Sequence, residues 1–268
     1  MCAQPQRSKA DYPVSPVRKP QVRLRYSKLG KVRFTSHRDM ARVWERAIRK
    51  VQLPIAYSEG FSPRAKLSFG LALPTVFESA AEYVDITLED TVEVDPLPEM
   101  LTNVMPEGID VTGAIALSGK VESLQECVES TTWSLFVNSD PDELQTWAAN
   151  VLAADELLVT RERKGKSRTD DVRPAILEIE IKPGQPEDVP AATAEVFAHL
   201  AAKPRALRPL ELLEINPSGS TEEPSRTSVP SHFVLGRRIH QFIAPVGARR
   251  DPLAVGAAEA SHDLSCAS

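Results

Sequence analysis

Residues 22–51 read VRLRYSKLGKVRFTSHRDMARVWERAIRKV, and this stretch decides the fold. Val22, Leu24 and Tyr26 alternate with Arg23 and Arg25, the period-two signature of a half-buried strand. Leu29-Gly30-Lys31 reads as a turn, and Val32-Arg33-Phe34 as a further extended segment. Ser36 then stands where a helix N-cap is expected, with Asp39 three residues on. Met40, Val43, Trp44, Ala47, Ile48 and Val51 recur at helical spacing, so one face is apolar. The other face carries Arg38, Arg42, Arg46 and Arg49. Leu53-Pro54 ends the helix, because the residue before proline avoids the α region.

Working outward, Ile55 to Tyr57 reads as a short strand and Ser58 to Arg64 as a loop. Further strands are expected over Lys66 to Leu73, Glu82 to Leu88 and Ile109 to Leu117, with a helix over Pro96 to Val104. The element order is strand, helix, strand, strand, helix, strand, which is the ferredoxin-like arrangement. The second half reads as a divergent copy. A strand at Thr131–Val137 precedes a helix from Asp140-Pro141 to about Leu152, since aspartate caps and proline takes the first helical position. Strands at Leu157–Arg163 and Ile176–Ile181 flank a loop over Lys164–Pro174. Thr193–Leu200 suits either a strand or a helix, and Arg208–Leu213 suits a short helix. The expected fold is therefore α+β, with two tandem ferredoxin-like (βαββαβ) units, the second divergent. Residues 1–19 form a disordered basic arm, 20–118 the first unit and 119–216 the second. Residues 217–268 form a linker and mostly disordered tail, in which Phe233–Ile243 makes one more element.

Composition bounds the function. Of 268 residues, 42% are apolar and 26% charged, enough for a sizeable core on an ordinary polar surface. Cys2, Cys127 and Cys266 are too far apart for a disulfide framework or a metal-ligand motif, which fits a reducing, cytoplasmic compartment. No apolar run approaches a membrane span and the first residues lack the apolar core of a signal peptide, so no membrane partner is expected. No metal and no cofactor are expected. The net charge of −5 conceals a strong asymmetry. Arg18 to Ala72 holds fourteen Lys or Arg against Asp39, Glu45 and Glu59, a local charge of +11 that leaves −16 for the rest. Either this region faces an anionic partner, or the two halves neutralise each other across an interface.

The run Lys31 to Asp39 is distinctive, and so are Arg46-Ala47, Leu53 to Arg64, Lys66 to Phe69 and Leu73-Pro74. Together they resemble the N-terminal signature of the radical-SAM-linked proteins, a bacterial family of unknown function. The likeness covers about residues 22 to 89. Lys164 to Arg168, Asp171 to Pro174 and Arg208 to Leu213 resemble the family's later landmarks. The resemblance implies a gene beside, or fused to, that of a radical SAM enzyme, and proximity to genes for ribonuclease E/G and ribosomal proteins. It supplies no catalytic residues. A radical SAM cluster needs three closely spaced thiolates, so any radical chemistry belongs to a partner enzyme.

Three features carry candidate chemistry. Helix N-terminal amides with Ser36, Arg33 and Arg38 could hold a phosphate, with His37 as an acid or base nearby. The same residues also make an ordinary helix cap. The loop holding Tyr57, Phe61, Arg64 and Lys66 could stack on bases and meet phosphates, or could simply pack its aromatic rings. Lys166, Arg168 and Arg173 form a second basic stretch; if the halves are pseudo-symmetric, both stretches line one groove. The reading that follows is an accessory protein without catalysis of its own, binding RNA or a nucleotide-bearing substrate and working with a radical SAM partner. The alternatives are an RNA-processing endonuclease-like enzyme using His37, and a protein-interaction module docking on the radical SAM partner. Trp44, Trp133 and Trp147 are expected in the core.

Overall fold

A computed structural model describes residues 18–119, 121–163, 165–217, 232–244 and 248–255. Apart from Arg18 and Lys19, the N-terminal arm lies outside the described residues. So do most of the 217–231 linker and the end of the tail.

The chain is mixed α and β, with few helices set on a large, mostly antiparallel sheet. Its first part comprises β1 (Gln21–Lys28), α1 (His37–Lys50), β2 (Leu67–Phe69), β3 (Glu78–Thr87), α2 (Leu97–Thr102) and β4 (Val111–Leu117). After the four-residue α3 (Leu124–Cys127) come β5 (Ser130–Asn138), α4 (Pro141–Ala153), β6 (Leu158–Arg163) and β7 (Lys166–Asp171). The chain continues through β8 (Ile176–Pro183), β9 (Ala194–Ala201), α5 (Pro209–Leu213) and β10 (His232–Phe242). The main sheet runs β4-β1-β3-β10-β5-β9-β8, with β2 also on β3; β6 and β7 form a separate ribbon.

In the first half β1 and β2 both pair antiparallel with β3, and β4 with β1. In the second half β5 and β8 both pair antiparallel with β9, and β10 with β5. The two halves therefore share one pairing scheme, with the β6–β7 ribbon inserted after the second half's first helix. They join where β10 runs parallel to the start of β3, Arg237 opposite Glu78 and Arg238 opposite Ser79.

One row of side chains crosses this joint on the helical face. Trp44 of α1 packs edge-on against Tyr26 of β1, with ring centroids 5.0 Å apart. Tyr26 stands opposite Glu82 of β3. Glu82 accepts from Arg238 Nη1 at 3.0 Å, and the Arg238 guanidinium lies 4.8 Å over the ring of Trp133 on β5. Trp133 belongs to the core cluster that includes Leu144 and Trp147 of α4, so α1 and α4 cover the same face. Burial, with Glu82 nearby, pushes the Tyr26 phenol well above its ordinary value.

Several local expectations need correction. Val32-Arg33-Phe34 is not extended: Gly30–Phe34 forms a 3-10 turn. Gly30 begins it at φ +66°, and its N–H donates to Glu78 at 2.8 Å. Ile55 and Tyr57 make only isolated bridges, to Leu88 and Ala65. The Lys66–Leu73 strand shrinks to Leu67–Phe69, because the Leu71 and Ala72 carbonyls turn away to accept from Arg238. Lys164–Pro174 is not a plain loop, since Lys166–Asp171 pairs with β6. Thr193–Leu200 resolves as strand β9. Within residues 217–268, read as linker and tail, the further element expected at Phe233–Ile243 is strand β10, and it lies at the centre of the sheet, where Phe77 packs on Phe233 and Trp133. Among the described residues no helix is long and apolar enough to cross a membrane.

Candidate functional site

The basic helix and the loop that follows it build one exposed surface. Alternate packing of α1 puts Met40, Trp44, Ala47 and Ile48 in the core, so Arg38, Arg42, Arg46 and Arg49 face outward. Ser36 caps the helix by accepting from the Asp39 amide at 3.2 Å. The Ser36 hydroxyl also donates to Asp39 Oδ2 at 2.8 Å, and Arg42 pairs with Oδ1 at 2.9 Å. These bonds, the serine's first, hold the Asp39 carboxyl below its ordinary range. Ser36 and Asp39 thus serve the helix end. His37 is exposed, with its ring edge-on to Phe69 at 5.0 Å.

Arg33 is less available than its sequence position suggests. It lies 3.4 Å from Glu78, a buried carboxylate that also holds Arg237 at 2.7 Å, and 4.8 Å over its own neighbour Phe34. Phe34 is 57% exposed, a stackable ring that the reading of this segment as a strand overlooked. Burial removes other cations from the local excess: Arg23 is fully buried on Asp85, and Lys28 donates to the Thr35 carbonyl.

Arg38, Arg64 and Lys66 are exposed and have no ion-pair partner among the described residues. The loop from Tyr57 to Ala65 closes on itself: Ser58 N–H donates to the Arg64 carbonyl at 2.8 Å, and Arg64 N–H to the Ser58 hydroxyl at 3.0 Å. Gly60, at φ +122°, makes the bend that projects the next residue. That residue, Phe61, is completely exposed, and Tyr57 is 44% exposed, so neither ring packs in the core. A cleft of about 400 Å³ opens between this loop and α1, lined by Glu45, Arg49, Tyr57, Pro63, Arg64 and Ala65.

The second basic stretch divides. Lys166 and Arg168 are exposed on β7, the latter paired with Asp170 at 2.8 Å. Arg173 is structural: it donates to the Leu152, Ala154 and Ile176 carbonyls at 2.8, 3.1 and 2.9 Å. Two of these carbonyls lie at the end of α4, so the guanidinium satisfies groups that a helix end leaves open. Because β3 and β10 run parallel and each is antiparallel to its first-strand neighbour, β1 and β5 point the same way. The loop after α1 and the ribbon after α4 therefore leave the sheet at the same end.

Residues 21–209 match the sequence model of a family described as an uncharacterized protein conserved in bacteria (DUF2344). The chain belongs to this family. No curated protein matches it significantly. The matched stretch contains the whole of α1 and the 57–66 loop and ends at the first residue of α5, short of β10. Among the described residues no group of three or more His, Cys, Asp or Glu converges as a metal site. The thiol of Cys127 is half-buried, and burial raises its pKa.

Proposed function

We propose that this family member is a cytoplasmic accessory protein that binds single-stranded RNA, or a substrate bearing a nucleotide, through α1 and the 57–66 loop. The observation that carries the reading is Phe61, a wholly exposed ring at a loop tip, followed in the same loop by Arg64 and Lys66, exposed cations with no ion-pair partner among the described residues. Phe61 and Tyr57 present two exposed aromatic rings on one loop, the kind of surface on which bases stack. Rings interleaved with cations suit a strand whose bases stack while its phosphates are neutralised. Arg38 and Arg46 extend the cationic track along α1, and Lys166 and Arg168 on the ribbon supply a second one at the same end of the sheet. The shared pairing scheme of the two halves supports a duplicated ferredoxin-like body beneath both tracks. The resemblance noted above adds a radical SAM enzyme as the partner that supplies chemistry. Among the described residues His37 contacts a phenyl ring and no acid or base, so a nuclease role has less support.

The test is fluorescence anisotropy of the full chain with a fluorescein-labelled oligouridylate between about 50 and 200 mM salt. Neutralising three or four phosphates of a single strand gives a slope of log K against log salt of about −2 to −3. Absence of binding at the lowest salt contradicts the reading and favours a protein-docking surface.

A further inference from the structure

Among the described residues Glu45 is the one acidic side chain lining the cleft between α1 and the loop, beside Arg49, Tyr57 and Arg64. Its Oε2 lies 3.8 Å from Arg49 Nη2 one helical turn on, and Arg49 Nε donates to the Glu45 carbonyl at 3.2 Å. The carboxylate thus lies on the cleft side of α1 within reach of Arg49, and is about a third exposed. The cleft, at about 400 Å³, is at the small end of ligand-binding cavities and suits one nucleotide.

A carboxylate among cations is informative because it opposes phosphate binding at its own position. An ionised carboxylate accepts hydrogen bonds and donates none, and its two oxygens match two adjacent N–H donors. Of the four RNA bases only guanine carries such a pair, N1–H beside the N2 amino group. Adenine and cytosine set an amino group beside a bare ring nitrogen, whose lone pair repels a carboxylate. Uracil has one N–H between two carbonyls.

We infer that this cleft selects a guanine nucleotide, with Glu45 accepting from N1–H and N2–H, Tyr57 stacking on the ring and Arg64 meeting the phosphate. Single-stranded bases are read along these edges while aromatic rings hold them. The inference rests on the RNA-binding reading and adds to it a base preference.

The experiment measures anisotropy of the full chain with four labelled RNAs: an all-uridine heptamer and heptamers whose central residue is guanosine, inosine or adenosine. Inosine lacks only the N2 amino group. The guanosine probe is expected to bind about tenfold more tightly than the inosine and adenosine probes. Glu45→Gln, which replaces one acceptor oxygen by a donor, is expected to bring guanosine and inosine within about twofold of each other. Equal affinity for guanosine and inosine alongside clear binding of the uridine probe overturns the inference and leaves the RNA-binding reading standing. Discrimination that survives Glu45→Gln also overturns it. Failure of every probe to bind overturns both.

Discussion

Arg238 on β10 donates to the Glu82 carboxylate of β3 at 3.0 Å, and both side chains are nearly sealed from water. Arg238 Nη1 and Nη2 also donate to the Leu71 and Ala72 carbonyls, so one guanidinium ties the two halves of the sheet to the segment that leads from β2 into β3. Such a pair does little for net stability when intact, yet its disruption strands a charge. Glu82→Ala is expected to destabilise the fold by about 3–5 kcal/mol, read as a lower midpoint in urea unfolding. A change under about 1 kcal/mol would show that the joint does not depend on this pair.

The same joint has no room for a methyl group at Gly236. A Cβ there would meet Phe77 Cε1 at 2.1 Å, and Phe77 is wedged against Trp133 and Phe233. Gly236→Ala is expected to lose about 1–3 kcal/mol through overpacking, measured by thermal unfolding. A fully stable variant would mean that Phe77 has another rotamer to adopt.

Stability should fall as pH drops below neutrality. His199 is buried, its Nε2 bonded to the Ser130 hydroxyl at 2.8 Å, and burial lowers its pKa below the ordinary 6.5. Burial lowers that of His240 as well. A depressed folded-state pKa means that the unfolded chain binds more protons, so stability declines from about pH 6.5 down to the folded values. Urea midpoints measured between about pH 7.5 and 5 should show this fall, and His199→Gln should flatten part of it. A midpoint independent of pH in the wild-type chain contradicts the argument.

Phe61→Ala separates function from folding. The ring touches solvent on all sides, so the thermal midpoint should stay unchanged. RNA affinity should drop by about 1–3 kcal/mol, the worth of one stacked base, in an anisotropy titration. Loss of folding would place the ring in contacts that the structure does not contain.

Much of this was legible in the sequence, for a physical reason. Val22, Leu24 and Tyr26 show their alternation because one face of β1 is apolar core, and Met40, Trp44, Ala47 and Ile48 show theirs because α1 packs on that face. β10 was harder to place, since a central strand carrying Arg237, Arg238 and Gln241 has no apolar alternation. Its buried partners are carboxylates and carbonyls of β3 and the segment before it, which only the pairing reveals. Arg33 and Arg173 looked like ligand contacts because sequence shows the charge and hides Glu78 and the end of α4. Phe61 and Arg64 read correctly as residues of a loop, but whether the ring was packed or exposed could be settled only by the fold.

The most direct test of the central claim maps where RNA touches the chain. Thiouridine-substituted RNA is photo-crosslinked to the full-length protein and the modified peptides are identified by mass spectrometry. The account predicts crosslinks within residues 57–66, at Tyr57 or Phe61 above all, with weaker ones on the β6–β7 ribbon. Crosslinks confined to other surfaces, or none above a non-binding control, would contradict it.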